Sequence, residues 1–362
     1  MKFLRKIAAP VAALAIGAST LMTPVAEASG ERPMGTPSTI TLQSKEDRTP
    51  GTEDWIDVIR ERENVEYVTA SSESMNRDIP LAVVRAAEEN APTLYLLNGA
   101  GGAEQNMDWI IRYPELIDFY VDKGVNVVIP QEGAFSYYIN WANPNPPASE
   151  KYLNGTQMWE DFLIGELPQG IEPYLKANGK RAIAGYSMSA TSSLLLAEKA
   201  PGFYDGVGSF SGCAETSTLL GYKAAELTVS RAGANVADML GAQGSEHNIA
   251  NDALLDVEGL RDTELYISNA TGLAGEYDMP GHYIEEGYNP ITASTGATTL
   301  IVEGGAIEAA TNVCTHNLKA KLDQAGIGAE WNLRPTGTHS WNYWIEDVQA
   351  SWNTLGRALG KA

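Results

Sequence analysis

Ala182-Ile183-Ala184-Gly185-Tyr186-Ser187-Met188-Ser189-Ala190 is the stretch that decides how this chain folds. An apolar strand over Arg181–Gly185 ends in Gly-x-Ser-x-small, and helix-spaced sequence over Ser189–Lys199 follows at once. That is the setting of a sharp strand-to-helix turn that lifts a serine hydroxyl to the start of a helix. Small residues are required at 185 and 189 because strand and helix cross closely there. Ser189 stands where glycine is usual, and it is still small. The helix N-terminus favours negative charge developing on a bound substrate. The competing reading is a structural turn whose serine only caps the helix.

Outward from this turn, short apolar runs mark further strands. Thr93–Leu97 and Val125–Pro130 are nearly continuous in apolar residues, as strands buried on both faces are. Val207–Phe210, Leu265–Ser268 and Glu330–Leu333 continue the series, and Val65–Ala70 and Ile79–Arg85 read as two strands around a polar turn. Helical spacing appears over Ile110–Val121, Trp159–Leu175, Ala306–Gln324 and Trp341–Leu359. Alternating strands and helices predict an α/β architecture, a mostly parallel sheet with helices on both faces. The rhythm lapses over about 213–262, which predicts a helical cap insertion. Residues 29–60 read as an extended lead-in with one short helix near Trp55–Arg62, and 61–362 as a single domain.

The 362 residues carry 25 Lys+Arg against 46 Asp+Glu, a formal charge of −21. A surface so acidic repels phosphate backbones, so nucleic-acid binding is excluded. Lys2, Arg5 and Lys6, the apolar run Ile7–Leu21 and the small-x-small pattern Ala26-Glu27-Ala28 predict a secretory signal over 1–28, cleaved near Ala28. The mature chain is then expected outside the cell or in its envelope. Two cysteines, Cys213 and Cys314, are too few for a structural zinc cluster. In an oxidising compartment they can pair and close a loop of about 100 residues; the alternative is two buried thiols.

A hydroxyl nucleophile needs a base. Thr336-Gly337-Thr338-His339-Ser340-Trp341 places a histidine just after the last expected strand, downstream of Ser187. His247, His282 and His316 fall in the cap, in a Gly/Pro-rich loop and on a helix surface, which suits a base less well. Asn98-Gly99-Ala100-Gly101-Gly102, after an early strand, can offer backbone N–H groups to an oxyanion. An orienting acid between Ser187 and His339 could be Glu276, Asp278, Glu303 or Glu308. The simple position, directly after Leu265–Ser268, holds Asn269-Ala270-Thr271-Gly272 and no acid.

The runs Ser74–Ile79, Leu94–Gly99, Phe135–Tyr138 with Trp141, Trp159–Leu163 with Glu166-Leu167-Pro168, Gly185–Ser189, and Gly337–Trp341 with Tyr343-Trp344 stand in this order along the chain. Together they resemble the mycolyltransferases of the antigen 85 type and their corynebacterial relatives. The likeness is colinear from about Val65 to Trp352. It implies an α/β-hydrolase fold, with Ser187 as nucleophile, His339 as base, Glu308 as acid, and the N–H groups of Ala100 and Met188 as oxyanion donors. It also implies transfer of a mycolyl group from trehalose monomycolate to trehalose or cell-wall arabinogalactan, with no metal or organic cofactor. The chain departs from antigen 85 in holding Asn98 and Gly101 where an Asp and an Arg contact trehalose, so the sugar contacts are open. Asn98, Trp141 and Trp341 are expected at the substrate, against the commoner use of such aromatics as core packing. A secreted carboxylesterase of the same fold, with water as acceptor, is the alternative reaction. A binding protein without turnover is disfavoured because all three residues of the relay are present.

Overall fold

Nine strands form one sheet in the computed structural model, which describes residues 35–46, 54–147 and 152–361. The expected signal and its cleavage pattern lie outside those residues. The strands are β1 (Ile40–Leu42), β2 (Val65–Ser72), β3 (Arg77–Val84), β4 (Thr93–Leu97), β5 (Asn126–Pro130), β6 (Arg181–Tyr186), β7 (Gly206–Phe210), β8 (Glu264–Asn269) and β9 (Glu330–Leu333). Their order is β1-β2-β3-β5-β4-β6-β7-β8-β9. Pairing is antiparallel from β1 through β3 to β5 and parallel from β5 to β9.

Strict alternation along the central strands decides what lies on each face. Leu94 and Leu96 of β4, Val127 and Ile129 of β5, and Ala182, Ala184 and Tyr186 of β6 join one buried cluster with Trp109, Tyr120 and Leu355. Tyr95, Leu97, Val128 and Ile183 turn the other way, into a cluster with Trp159, Phe162, Ile171 and Leu196. Both faces are therefore covered by helices, and the central strands can be apolar throughout.

Register sets where function can gather. Leu97 pairs with Gly185, Tyr186 with Phe210, Phe210 with Ser268, and Asn269 with Leu333. The carboxyl ends of β4, β6, β7, β8 and β9 thus finish level with one another. Strand order reverses at β4, where successive connections go to opposite sides, and crevices open at such points.

The structure departs from the sequence reading in four places. Residues 40–42 of the lead-in are an edge strand paired with β2, and the helix after them is limited to Trp55–Ile59. The expected helix over 110–121 is two, Trp109–Arg112 and Leu116–Lys123, because Pro114 lacks the N–H a continuous helix needs. The cap region does carry helices, at Leu219–Ser230, Val236–Leu240 and Glu246–Ala250. A second helical excursion is added at Pro280–Glu285 and Pro290–Thr299, so His282 sits on a helix rather than in a loop. The latter helix runs through a π-helical turn at Leu300–Gly304 straight into Gly305–Ala325. Among the described residues no helix is long and apolar enough to cross a membrane.

Candidate active site

Ser187 leaves the end of β6 with φ +56° and ψ −121°, and the helix Met188–Lys199 starts at the next residue. A non-glycine residue in that region is strained, and it persists only where its surroundings fix it. Here the fixing is dense. A Cβ on Gly185 would lie 2.4 Å from Ser189 Oγ and 2.7 Å from the Ser189 carbonyl carbon, so only glycine fits beneath the helix. The fully buried Ser189 hydroxyl accepts from Tyr186 N and sits 3.1 Å from the carbonyls of Leu97 and Tyr186. The serine in the usual glycine place therefore ties the turn to β4.

Ser187 Oγ lies 2.7 Å from His339 Nε2, and His339 Nδ1 lies 2.7 Å from Glu308 Oε2. Glu308 is 1% exposed. Its other oxygen, Oε1, accepts from Ser211 Oγ (2.8 Å), Ala270 N (2.7 Å) and Asn269 Nδ2. A buried carboxylate so satisfied has one oxygen left over for the imidazole. The helix bearing Glu308 approaches the end of β8 because Gly272, at φ +84°, presents no side chain; a Cβ there would meet the Gly305 carbonyl at 2.3 Å. The Gly304 carbonyl, at the end of the π-helical turn before Glu308, accepts from His339 N at 3.2 Å.

Of the four acids in contention, Glu276 and Glu303 are exposed. Asp278 is fully buried but bonded to the backbone and hydroxyl groups around the histidine, not to its ring. Glu308 alone of the four reaches Nδ1. His247 is engaged by the Met239 carbonyl, and its imidazole is harder to protonate than usual because it is partly buried. His282 meets Asn342, and His316 faces solvent on its helix.

Ala100, Ser187, Met188 and His339 line a cavity of about 360 Å³. Its walls continue between the helices Leu219–Ser230 and Gly305–Ala325 and are largely apolar, with Leu220, Leu227 and Ile307 among them. Cys213 and Cys314 are bonded to each other, 101 residues apart in sequence, and form part of the same wall. The loop bearing Ala100 is held from behind: Ala100 O accepts from Phe135 N at 2.9 Å, and Glu104 Oε1 accepts from Gly133 N and Ala134 N. Burial pushes the Glu104 carboxyl up to about 7.

Two expected substrate contacts are corrected by their placement. Asn98 is fully buried; its amide donates to Pro130 O and its Oδ1 accepts from Trp109 N, so it braces the loop and offers nothing to a ligand. Trp141 is buried in the core, with its indole N–H donating to Ser136 O. Trp341 packs against Trp109, Tyr186 and Trp344 and is not part of the cavity wall. Sequence reasoning misses Ser211 and Asn269, the polar partners of Glu308. The only signal was their place at the ends of β7 and β8.

The family described as "Putative esterase" matches residues 72–353. The chain is 32% identical over 302 residues to the diacylglycerol acyltransferase/mycolyltransferase Ag85A of Mycobacterium leprae, covering 82% of this chain and 84% of that protein. It is 30% identical over 307 residues to Ag85B of Mycobacterium intracellulare, with 82% and 84% covered. Among solved structures, MPT51 (FbpC1) of Mycobacterium tuberculosis matches with a TM-score of 0.64 at 20% identity, covering 82% of this chain and 98% of that one. An S-formylglutathione hydrolase from Agrobacterium tumefaciens matches at 0.56 and 16%, covering 82% and 96%. With a strained serine turn between strand and helix in a mostly parallel sheet and relatives at this level, the chain belongs to the esterase family of α/β hydrolases that includes the antigen 85 acyltransferases.

Proposed function

We propose that the chain is an exported acyltransferase that carries a long acyl group on Ser187 from trehalose monomycolate to trehalose or to cell-wall arabinogalactan. The observation that carries this reading is the Ser187–His339–Glu308 relay opening onto a largely apolar cavity. Relatives named diacylglycerol acyltransferase/mycolyltransferase support it.

In the first half-reaction His339 Nε2 takes the Ser187 proton as Oγ attacks the ester carbonyl. The N–H groups of Ala100 and Met188 receive the developing oxyanion. The carbon–oxygen bond to the sugar breaks, and His339 returns the proton to the departing sugar oxygen. Glu308 holds the ring in the tautomer with its proton on Nδ1 and stabilises the imidazolium. In the second half-reaction an acceptor hydroxyl loses its proton to His339 and attacks the acyl carbonyl, which restores Ser187. Transfer must outrun hydrolysis, so the acceptor sugar has to be better placed than water.

The test is a product analysis on purified mature protein given a trehalose monoester of a long acyl chain, with and without added trehalose, beside Ser187→Ala. Trehalose diester from the unaltered protein alone is the expected result. Free fatty acid without diester would instead identify a carboxylesterase of the same fold. Finding the protein retained in the cytosol would defeat the export element of the proposal.

A further inference from the structure

Asp278 is a charged side chain, fully buried, that the relay itself does not use. It lies at the start of the second helical excursion, and nearly all its bonds go to the loop that delivers His339. Oδ1 accepts from Thr338 Oγ1 at 2.6 Å and from Ser340 Oγ at 3.4 Å. Oδ2 accepts from Thr338 N at 3.1 Å, from Tyr343 OH at 2.9 Å and from Gly275 N at 2.8 Å. Both residues that flank His339 are therefore held by one carboxylate. Tyr343, on the first turn of the helix that follows, is held by it too.

The rest of the loop is pinned to the same excursion. Gly337 N donates to Leu273 O, Gly272 N donates to Gly337 O, and His339 N donates to Gly304 O. The excursion leaves the sheet at residue 270 and returns as the helix bearing Glu308, so it supplies the acid at one end and Asp278 at the other. Glu308 fixes the imidazole by its ring nitrogen. Asp278 fixes the backbone from which that ring hangs.

We propose that Asp278 is a positioning residue for catalysis, a second buried carboxylate that sets where His339 Nε2 meets Ser187 Oγ. The inference rests on the reading of Ser187 and His339 as nucleophile and base. It does not depend on which acyl donor or acceptor is natural. Burying a carboxylate is costly unless its oxygens are satisfied, and here five donors satisfy it. An apolar residue would fill the space without aiming the loop. Displacement of a catalytic group by about 1 Å costs on the order of a hundredfold in rate.

Asp278→Asn is isosteric but turns a donor group toward N–H and O–H donors. Thr338→Val removes one hydroxyl bond to the carboxylate, and Thr338→Ser keeps it. The measurement is the second-order rate of Ser187 labelling by a serine-reactive phosphonate, beside kcat and KM on a chromogenic ester, with folded protein verified by circular dichroism. The expected result is a labelling rate and kcat reduced about 10- to 100-fold in Asp278→Asn and about tenfold in Thr338→Val, with KM within about twofold. Thr338→Ser should stay within about twofold of the unaltered protein. If Asp278→Asn does not fold, the Thr338 pair decides alone. Labelling of folded Asp278→Asn or of Thr338→Val at the unaltered rate would overturn the proposal. So would equal losses in Thr338→Val and Thr338→Ser. Absence of labelling in the unaltered protein would overturn the reading of Ser187 and His339 itself.

Discussion

Replacing Glu308 by Gln changes one atom, and the structure determines which way the new amide faces. Oε1 receives three donors, from Ser211, Ala270 and Asn269, and Oε2 receives none but the His339 ring. A glutamine with its NH2 at the Oε1 position would bury it against three donors, leaving them unpaired at about 1–3 kcal/mol each. The carbonyl oxygen therefore takes the Oε1 place, and the NH2 group points at Nδ1. An imidazole that accepts at Nδ1 carries its proton on Nε2, where it faces Ser187 Oγ as a donor. In that tautomer it cannot take the serine proton. Loss of the correct tautomer in such a relay costs about ten-thousandfold in kcat, or about 5.5 kcal/mol of barrier. The assay is the burst and steady-state hydrolysis of a chromogenic ester, with phosphonate labelling of Ser187 alongside. Thermal unfolding should change little, because Gln keeps all three bonds at Oε1. A Glu308→Gln protein within tenfold of the unaltered rate would refute both the orientation argument and the role of Glu308.

Two further perturbations test other parts of the framework. Cys213→Ser with Cys314→Ser opens a loop closed across 101 residues, for which the chain-entropy argument gives about 4.7 kcal/mol of lost stability; urea unfolding reads this, and a loss below about 1 kcal/mol would show that the bridge constrains little. Glu104 has its carboxyl pushed up to about 7 by burial, above the ordinary 4.5, so the protonated form is favoured in the folded chain. Its contribution to stability is full below about pH 4.5 and is lost as pH rises through 7. Glu104→Gln keeps an oxygen for the N–H groups of Gly133 and Ala134. The variant should match the unaltered protein near pH 4.5 and exceed it at pH 8 by up to about 3 kcal/mol. A stability difference that does not vary with pH would sink this account.

The legible parts of the sequence were those in which one local rule decides. Thr93–Leu97 and Val125–Pro130 are nearly continuous in apolar residues because both faces are covered, and strands form at Thr93–Leu97 and Asn126–Pro130, where those runs predict them. Ser187 announces itself by a strand, a small residue on either side and a helix. Glu308 is different in kind: four acids were equivalent in sequence, and only the approach of Gly305 to Gly272 brings one of them to Nδ1. Asn269 shows why the strand-end rule failed. The end of β8 contributes donors that hold a carboxylate from elsewhere, instead of the carboxylate itself. The helix Pro290–Thr299 was hidden by its threonines and glycine, which have low helix propensity. Capping by Asn289, which accepts from Ile291 N and Thr292 N, and continuity with the longer helix beyond it override that preference. Asn98 and Trp141 mislead for a simple reason. A polar or aromatic residue suited to a sugar is equally suited to tying down a buried loop.

Ser187 and His339 lie 152 residues apart, with the partners of Glu308 drawn from the ends of β7 and β8 between them. A chain that has folded only as far as β7 owns the serine turn but has neither imidazole nor carboxylate beside it. Its hydroxyl is then an ordinary alcohol, inert toward esters. On the proposed mechanism, completion of the fold is thus the activation step. By the same mechanism the protein is its own zymogen until its last hundred residues are in place, and chemical competence would serve as a readout of native structure that partly folded chains cannot counterfeit.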